Sequence, residues 1–247
     1  MISKGTIRFV KSLQLKKYRK KAQSFLVEGT KSVLELLNAP FEVTHLIGTE
    51  TFLLENAKVT TKLNVPLQLV TEKQLSSMGA LKTNRSVLAV AKCLPNHPIV
   101  VEDEYILALD RIKDPGNLGT IVRTADWYGM NKILCSPDSA DFYNPKVIQA
   151  TMGSFTRVRP YYAPLDSFLE EEQFVMGAVM DGENVHQVKF PKRGIIVIGN
   201  ESNGISSNLL PLISEKLSIP RFGKAESLNA SIAAAVICDN LRRSLNG

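Results

Sequence analysis

The chain has 247 residues, of which 44% are hydrophobic and 22% charged, so it can bury one large core or two smaller ones and fits neither a disordered protein nor a coiled coil. No apolar run approaches the roughly 20 residues that cross a bilayer, and the first residues lack the apolar centre of a secretion signal, so we expect a cytoplasmic protein. The three cysteines, Cys93, Cys135 and Cys238, are far apart, which argues against a disulfide framework or a paired-cysteine zinc site.

The net charge of +6 is distributed unevenly along the chain. Residues 1–94 carry 15 Lys and Arg against 6 Glu, whereas residues 95–247 carry 15 against 18 Asp and Glu, so the two parts have net charges of +9 and −3. This imbalance favours a nucleic-acid partner over a membrane surface, because the basic segment has too few large apolar residues for an interfacial helix. A solvated basic helix that only aids solubility is the alternative. The basic residues that precede the first acid are Lys4, Arg8, Lys11, Lys16, Lys17, Arg19, Lys20 and Lys21.

Along residues 1–94, short apolar runs typical of strands alternate with helical stretches. Thr71 and Gln74 have the spacing of a capping box, which predicts that a helix begins there. The sequence therefore predicts a small α/β domain. Its predicted strands are Phe25–Val27, His45–Gly48, Leu67–Val70 and Val87–Lys92.

Two prolines and a cluster of acids lie in residues 94–104, where the charge balance changes sign. We therefore predict a linker at 95–104, between a domain of residues 1–94 and a domain of residues 105–247. Strands and helices alternate in the second domain, which predicts an α/β fold whose mainly parallel sheet is covered by helices on both faces. The predicted strands are Tyr105–Asp110, Lys132–Ser136, Phe174–Met180, Ile195–Asn200 and Leu217–Pro220. The predicted helices are Leu118–Tyr128, one begun by Asn144 and Pro145, and Leu228–Leu245, in which Ala230, Ala233, Ala234 and Ala235 suit close packing.

Polar segments follow three of these strands, at the carboxyl ends where parallel sheets bind ligands. They contain Asn117 and Arg123, then Glu201, then Asn229. Taken singly, Arg123 has the pattern of a solvated arginine and Glu201 that of a helix cap or ion-pair partner. Ser227 can cap the last helix, but this leaves Asn229 unexplained in the first turn. The segments read DRIKDPGNLGTIVRTA, GNESNGIS and IPRFGKAESLNAS.

Other kinds of active site lack their usual residues in this sequence. There is no glycine-rich dinucleotide fingerprint, no phosphate-binding P-loop and no G-x-S-x-G nucleophile motif. His45, His97 and His186 are isolated, and no cluster of His, Cys or paired acids predicts a metal site. What is left is a site built from Asn, Arg, Glu, Ser and backbone groups.

Three segments, in this order, resemble the successive motifs of the SpoU (TrmH-type) RNA ribose methyltransferases of the SPOUT superfamily: DPGNLGTIVRTADWYG, VIGNESNGIS and IPRFGKAESLNASIAAAV. More loosely, VKSLQLKKYRKKAQSFLVEGTKSV is similar to the family's N-terminal substrate-binding domain. The resemblance implies an α/β sheet with a C-terminal trefoil knot, an exception to the usual unknotted topology. It also implies S-adenosylmethionine as cofactor, RNA as substrate and a homodimer formed through the C-terminal domain, with neither a metal nor a membrane involved.

Residue by residue, the resemblance implies a catalytic set of Asn117, Arg123, Glu201 and Asn229, with Ser154 and Ser227 in support. Backbone groups near Gly199, Ile219 and Leu228 match positions that hold the cofactor. Ser202 stands where glycine is usual, and Arg221 and Phe222 where a methionine often follows the proline. The expected RNA-binding residues are Lys11, Lys16, Lys17, Arg19, Lys20 and Lys21.

The sequence thus favours methylation of a ribose 2′-hydroxyl, with ribosomal RNA preferred as the substrate over tRNA. A non-catalytic RNA-binding protein on the same scaffold is an alternative, against which the intact catalytic set argues. An enzyme that methylates a base is another, but it would lack this pairing of asparagine and arginine.

Overall fold

The computed structural model describes residues 2–60, 65, 67–81 and 83–246, and the chain divides into two compact units. The first unit consists of Met1–Pro95 with Asp141–Thr156, and the second of Asn96–Ala140 with Arg157–Gly247. Residues 141–156 therefore belong to the same unit as the N-terminal residues, although they follow the first strands of the C-terminal part.

The helices and strands are numbered in chain order. The helices are α1 (Lys4–Ser12), α2 (Lys16–Ala22), α3 (Thr30–Leu37), α4 (Glu50–Glu55), α5 (Ala57–Thr60), α6 (Glu72–Met78), α7 (Pro115–Trp127), α8 (Pro145–Ala150), α9 (Leu165–Leu169) and α10 (Ala230–Asn246). The strands are β1 (Ser24–Glu28), β2 (Val43–Gly48), β3 (Leu67–Leu69), β4 (Val87–Lys92), β5 (Tyr105–Leu109), β6 (Lys132–Cys135), β7 (Arg159–Tyr162), β8 (Val175–Asn184), β9 (Gly194–Ile198) and β10 (Glu215–Ser218).

In the described part of the first unit, β1 to β4 form a mixed sheet in the order β1-β4-β2-β3. β4 pairs antiparallel with both β1 and β2, and β2 pairs parallel with β3. All four strands predicted for this part of the chain are present. The predicted capping box is confirmed, since Thr71 and Gln74 each accept a hydrogen bond from the other's backbone N–H at the start of α6.

Aromatic side chains join residues 141–156 to the sheet of the first unit. The Phe25 ring, on β1, lies 4.6 Å from the ring of Tyr143 and 5.9 Å from that of Phe155. Phe41 packs edge-on against Phe25 at 5.7 Å. Phe25 and Phe155 are fully buried, so this cluster contributes a large apolar area to the core.

In the second unit, the described strands form a sheet in the order β10-β8-β9-β5-β6-β7, and every pairing is parallel. β5 and β9 lie at its centre and are buried along their whole length. Their unbroken apolar sequences reflect this, because a central parallel strand is covered on both sides. The prediction of an α/β fold with a mainly parallel sheet is confirmed.

Two elements of the second unit have no counterpart in the sequence predictions. β7 contains Pro160, which cannot donate to a neighbouring strand and therefore weakens the strand pattern. The proline is tolerated because β7 lies at the edge of the sheet. The second element that was not predicted is the short helix α9, which follows β7 in the chain. β8 also extends beyond the predicted Met180 to Asn184, since its last residues pair with β10 after a shift in register.

Helices α7 and α10 pack side by side and run parallel. Asn229, just before α10, donates to Asn117 in the first turn of α7. Tyr128 directly follows the last residue of α7, and its hydroxyl donates to Asp239 of α10. Ala230 and Ala234 are buried within this unit, so the close packing predicted for the last helix is found inside one subunit.

The three cysteines are unpaired. Cys135 and Cys238 are buried and Cys93 is half-buried, and this burial raises the pKa of each thiol to about 12. Such thiols stay protonated and unreactive near neutral pH. Over the described residues, no helix is long and apolar enough to cross a membrane, and no group of three His, Cys, Asp or Glu could hold a metal ion.

Arg19 is buried within the first unit, with only 3% of its side chain exposed. Its guanidinium donates to the carbonyls of Leu13 and Gln14 at the end of α1, and through Nε and Nη2 to Asp141 Oδ2 at 3.1 and 2.6 Å. Arg19 therefore caps one helix and joins it to residues 141–156. The prediction that Arg19 contacts RNA is wrong, because these partners occupy its guanidinium away from solvent.

We expect Asp141→Asn to lower the free energy of unfolding by about 3 kcal/mol, because it leaves the buried Arg19 cation without a counter-charge. Urea unfolding of the full chain measures this. The matched control is Asp138→Asn, which removes an exposed carboxylate and should change the stability by less than about 0.5 kcal/mol. Equal effects from the two variants would contradict the structural role of the pair.

Candidate active site

The carboxyl ends of β5 and β9 lie next to each other in the second unit. The two strands pair in register, with Leu109 opposite Ile198. The residues that follow them, Asp110 and Gly199, therefore begin two neighbouring loops, and the Asp110 N–H donates to the Ile198 carbonyl at 2.9 Å. Ligands of parallel sheets bind at such an edge.

The loop after β5 fixes the start of α7. Asp114 caps the helix by accepting a hydrogen bond from the Asn117 N–H at 2.8 Å, and Pro115 occupies the first position, where its fixed φ suits a helix. The helix thus begins three residues before the predicted Leu118. Asn117 lies in its first turn with a half-buried side chain.

The loop after β9 is a tight turn that presents Glu201. Asn200 and Gly204 exchange two backbone hydrogen bonds, and Gly204 adopts a φ of +63°. A Cβ on Gly199 would lie 2.3 Å from the carbonyl carbon of Gly204, so this position must be glycine. Ser202, at a position where glycine is usual in the family, does not have a positive φ, so its backbone conformation does not require glycine. The turn leads to a short 3₁₀ helix at Leu210–Leu212.

Asn229 caps α10. Its Oδ1 accepts hydrogen bonds from the backbone N–H and the hydroxyl of Ser231, at 2.9 and 2.6 Å. The expectation that Ser227 is the cap is wrong, because the helix begins at Ala230 and Ser227 lies exposed before it.

A directed chain of hydrogen bonds joins three of the predicted catalytic residues. Asn229 Nδ2 donates to Asn117 Oδ1 at 2.9 Å, and Asn117 Nδ2 donates to Glu201 Oε1 at 2.5 Å. The other carboxylate oxygen of Glu201 accepts from Asn200 Nδ2 at 3.3 Å. Because the amides of Asn117 and Asn229 use both their oxygen and their nitrogen, neither can rotate without losing a bond. The second N–H of each is still available to a ligand.

Arg123 is not part of this cluster within one subunit. It lies six residues beyond Asn117 on α7, about 9 Å along the axis and roughly 120° around it. Its side chain is exposed, and it forms no hydrogen bond or ion pair with any residue that the structure describes. Arg123 therefore lies outside the hydrogen-bond chain that joins Asn117, Glu201 and Asn229.

The remaining predicted residues are distributed over both units. Ser154 begins a 3₁₀ helix in the first unit and is buried. Ile219 is half-buried and Leu228 is 48% exposed, and both lie in the segment between β10 and α10. The predicted RNA-binding lysines are all exposed on or beside α1 and α2: Lys11, Lys16, Lys17, Lys20 and Lys21.

The segment from Ile219 to Leu228 has the groups needed to hold an adenosine. Its backbone N–H groups donate to no residue within the described structure, while the Ala225 carbonyl accepts a bond from Arg221. Unpaired backbone groups next to an exposed leucine suit the polar edge and apolar faces of a purine. This fits a nucleoside cofactor at the same edge as the hydrogen-bond chain.

Sequence reasoning missed two residues that support the site. Asp110, buried at the end of β5, accepts hydrogen bonds through Oδ2 from the backbone N–H and hydroxyl of Ser206, both at 2.7 Å. Asn200 orders the turn, since its Oδ1 accepts from the N–H groups of Ser202 and Asn203 at 3.0 and 3.2 Å. The signal was a polar residue within two positions of the end of each central apolar strand.

A model of the SpoU rRNA Methylase family matches residues 104–239, more than half of the chain. The chain belongs to this family. A second model, of the MRM3-like substrate binding domain, matches residues 4–89. The resemblance identified from the three polar segments is thereby confirmed, and the protein is an RNA methyltransferase with S-adenosylmethionine as its cofactor.

Two solved structures and one curated relative are similar to almost the whole of this chain. The 23S rRNA (guanosine(2553)-2′-O)-methyltransferase RlmP of Bacillus subtilis (strain 168) is 29% identical over 239 residues, 94% of each chain. A TrmH-family structure from Porphyromonas gingivalis is 36% identical, with a TM-score of 0.89 over 98% of this chain and 99% of that one. The AdoMet-bound rRNA methyltransferase of Sinorhizobium meliloti is 27% identical, with a TM-score of 0.88 over 99% and 97%.

The cofactor, when bound, supplies a methyl group already activated on a positive sulfonium. The remaining work of a SpoU enzyme is to align the acceptor oxygen with that methyl group and to assist the loss of its proton. The hydrogen-bond chain fixes the direction of the Asn117 and Asn229 side-chain N–H groups. Glu201 holds Asn117 in place through a charge-assisted hydrogen bond.

We expect Asn117→Asp to destabilise the protein in a pH-dependent way, because it places a second carboxylate against Glu201 Oε1. Two carboxylates at this distance repel each other when both are charged. The penalty is therefore present when both groups are charged and is lost as the pH falls and one takes up a proton. The difference in Tm from the wild type should be larger at pH 8 than at pH 5. Asn117→Ala is the control, and a pH-dependent difference for it as well would contradict the contact.

Proposed function

We propose that this protein methylates a ribose 2′-hydroxyl of ribosomal RNA. The observation that carries the proposal is the hydrogen-bond chain Asn229–Asn117–Glu201 at the ligand edge of the sheet. Such a site can orient a hydroxyl group and needs no metal ion or protein nucleophile. The Bacillus relative, similar over 94% of both chains, is a 23S rRNA 2′-O-methyltransferase, which supports the same substrate class here.

In the proposed reaction, the free N–H groups of Asn117 and Asn229 hold the ribose. Backbone groups near Gly199, Ile219 and Leu228 hold the cofactor. Arg123 binds the phosphate beside the target ribose through its planar fork, which matches two phosphate oxygens at once. Ser154 and Ser227 are supporting residues in this proposal.

Arg123 would serve the cluster of a partner subunit. It is exposed on α7 and forms no hydrogen bond or ion pair with any residue that the structure describes. Trp127, one turn further along the same helix, is 84% exposed, and Ile232 on the adjacent α10 is 52% exposed. Large apolar side chains on two neighbouring helices are typical of a covered surface. We therefore propose a homodimer formed through these helices.

The exposed lysines of α1 and α2 would capture the RNA by neutralising phosphates. None of the five is held in an ion pair with any described residue, unlike Arg19. Binding of this kind weakens steeply as the salt concentration rises. We therefore propose that the first unit captures the RNA and that the second unit, which contains Asn117, Glu201 and Asn229, carries out the methyl transfer.

The family resemblance also supports three finer predictions about this chain. We propose that helices cover both faces of the sheet of the second unit, and that its C-terminal segment threads a trefoil knot. Ribosomal RNA as the substrate supports a location in the cytoplasm.

The proposal predicts that the purified protein transfers labelled methyl from S-adenosylmethionine to unmethylated Bacillus subtilis 23S rRNA transcribed in vitro. The label should map to one nucleotide that resists alkaline cleavage, because a methylated 2′-oxygen cannot attack the adjacent phosphate. Arg123→Ala should lower turnover by roughly 100-fold or more while cofactor binding is retained. Arg123→Lys should recover little, because a point charge lacks the planar fork.

Each other outcome of the mapping selects a different function. Label on a base would identify a base methyltransferase, and label on tRNA alone would identify a tRNA enzyme. RNA binding without any transfer would identify a non-catalytic RNA-binding protein. Each of these would overturn the proposal.

The dimer proposal predicts complementation between two inactive variants. A heterodimer of Arg123→Ala with Asn117→Ala, purified through two different tags, contains one site in which both residues are wild type. It should recover about half of the wild-type activity, one of two symmetric sites. The control heterodimer, Asn117→Ala with Glu201→Ala, should stay inactive because each site keeps one defect. Failure of the two tags to purify together would contradict the dimer, and an inactive first heterodimer would contradict the role of Arg123 across subunits.

A further inference from the structure

Arg111 follows β5 in a left-handed backbone conformation, with a φ of +55°. For a residue with a side chain this conformation costs about 1 kcal/mol, whereas glycine adopts it freely. Two hydrogen bonds hold the residue there. Its N–H donates to Ser136 Oγ at 2.8 Å, and its carbonyl accepts from Asn200 Nδ2 at 2.9 Å. Backbone strain of this kind is concentrated at functional sites.

The Arg111 side chain is anchored at one nitrogen only. Nε is buried and lies 3.3 Å from Oδ1 of the buried Asp110, close enough for an ion pair but not aligned for a hydrogen bond. Within the described structure, no residue accepts a hydrogen bond from its terminal nitrogens. The side chain is 32% exposed. The guanidinium is therefore held in place and still has donors for a ligand.

Arg111 belongs to the same edge of the sheet as the hydrogen-bond chain. Asn200, which holds its carbonyl, also donates to Glu201. The proposed cofactor segments follow β9 and β10, whereas Arg111 follows β5 and bonds toward the end of β6 at Ser136. In the strand order, Arg111 therefore lies on the side of β6, and the proposed cofactor segments lie on the side of β9 and β10.

A ribose in RNA is flanked by two phosphates. We propose that Arg111 binds the flanking phosphate of the target ribose that Arg123 does not. This inference rests on the proposed function. An RNA backbone that approaches this edge meets the carboxylates of Asp114 and Glu201, so a fixed cation is needed to offset the repulsion. A guanidinium with its terminal nitrogens free suits a phosphate, because it donates two parallel hydrogen bonds.

Arg111→Gly removes the side chain and relieves the backbone strain, but it also leaves the buried Asp110 without its neighbouring cation. The Tm of the variant is therefore measured first, and both KM values are compared at a temperature at which the variant and the wild type are fully folded. The KM for 23S rRNA transcript should rise roughly tenfold, as expected for one lost charge-assisted contact, while the KM for S-adenosylmethionine stays constant. The slope of the logarithm of RNA affinity against the logarithm of the salt concentration should decrease in magnitude by about one. Arg111→Lys should keep that salt dependence but only part of the affinity.

Lys192→Gly is the control, since it removes an exposed cation from a different loop and should leave both KM values unchanged. An unchanged KM for RNA in Arg111→Gly would overturn the inference. So would a raised KM for S-adenosylmethionine alone, which would assign Arg111 to the cofactor's carboxylate. If the wild type binds the transcript but methylates no RNA, the proposed function fails. The inference is then decided by the RNA affinity and salt dependence of the same variants.

Discussion

Parallel, in-register pairing of β5 with β9 brings together two loops that are about 85 residues apart in the sequence. Because the two strands end at the same level, Asp110 and Gly199 begin their loops side by side. Asn117 and Glu201 can then meet at hydrogen-bond distance. The segment after β10 joins them only because α10 packs parallel to α7, which brings Asn229 to Asn117. The site therefore depends on the central strand pair and on one pair of helices.

The hydrogen bonds of the site have one direction, from the start of α10 to the carboxylate. Ser231 donates to Asn229, Asn229 to Asn117, and Asn117 to Glu201. Each amide is oriented by its neighbour, so a ligand meets donors that are already positioned. In the proposed reaction, this reduces the reorganisation needed when the acceptor oxygen is aligned for transfer. A substitution at any member also releases the next one, so the effects of substitutions are expected to be non-additive.

Three arginines show how tertiary surroundings give one side-chain type different roles. Arg19 is buried and neutralised by Asp141. Arg111 is tethered beside Asp110 with its terminal nitrogens available. Arg123 is exposed and has no partner among the described residues of its own chain. The guanidinium stays charged in all three positions, so what differs is the number of its N–H donors that remain available to a ligand.

The sequence alone determined the features that arise from residues close together in the chain. These are the alternation of strands and helices, the capping box at Thr71, and the polar segments that carry Asn117, Glu201 and Asn229. These follow from hydrophobic pattern and local hydrogen bonding. Only the tertiary structure decided that Arg19 is buried, that residues 141–156 belong to the N-terminal unit, and that Asn229 caps α10. Each of these depends on partners from distant parts of the chain or on a choice between two adequate caps. The sequence around each residue does not show which of its alternative hydrogen-bond partners gives the lower free energy in the folded chain.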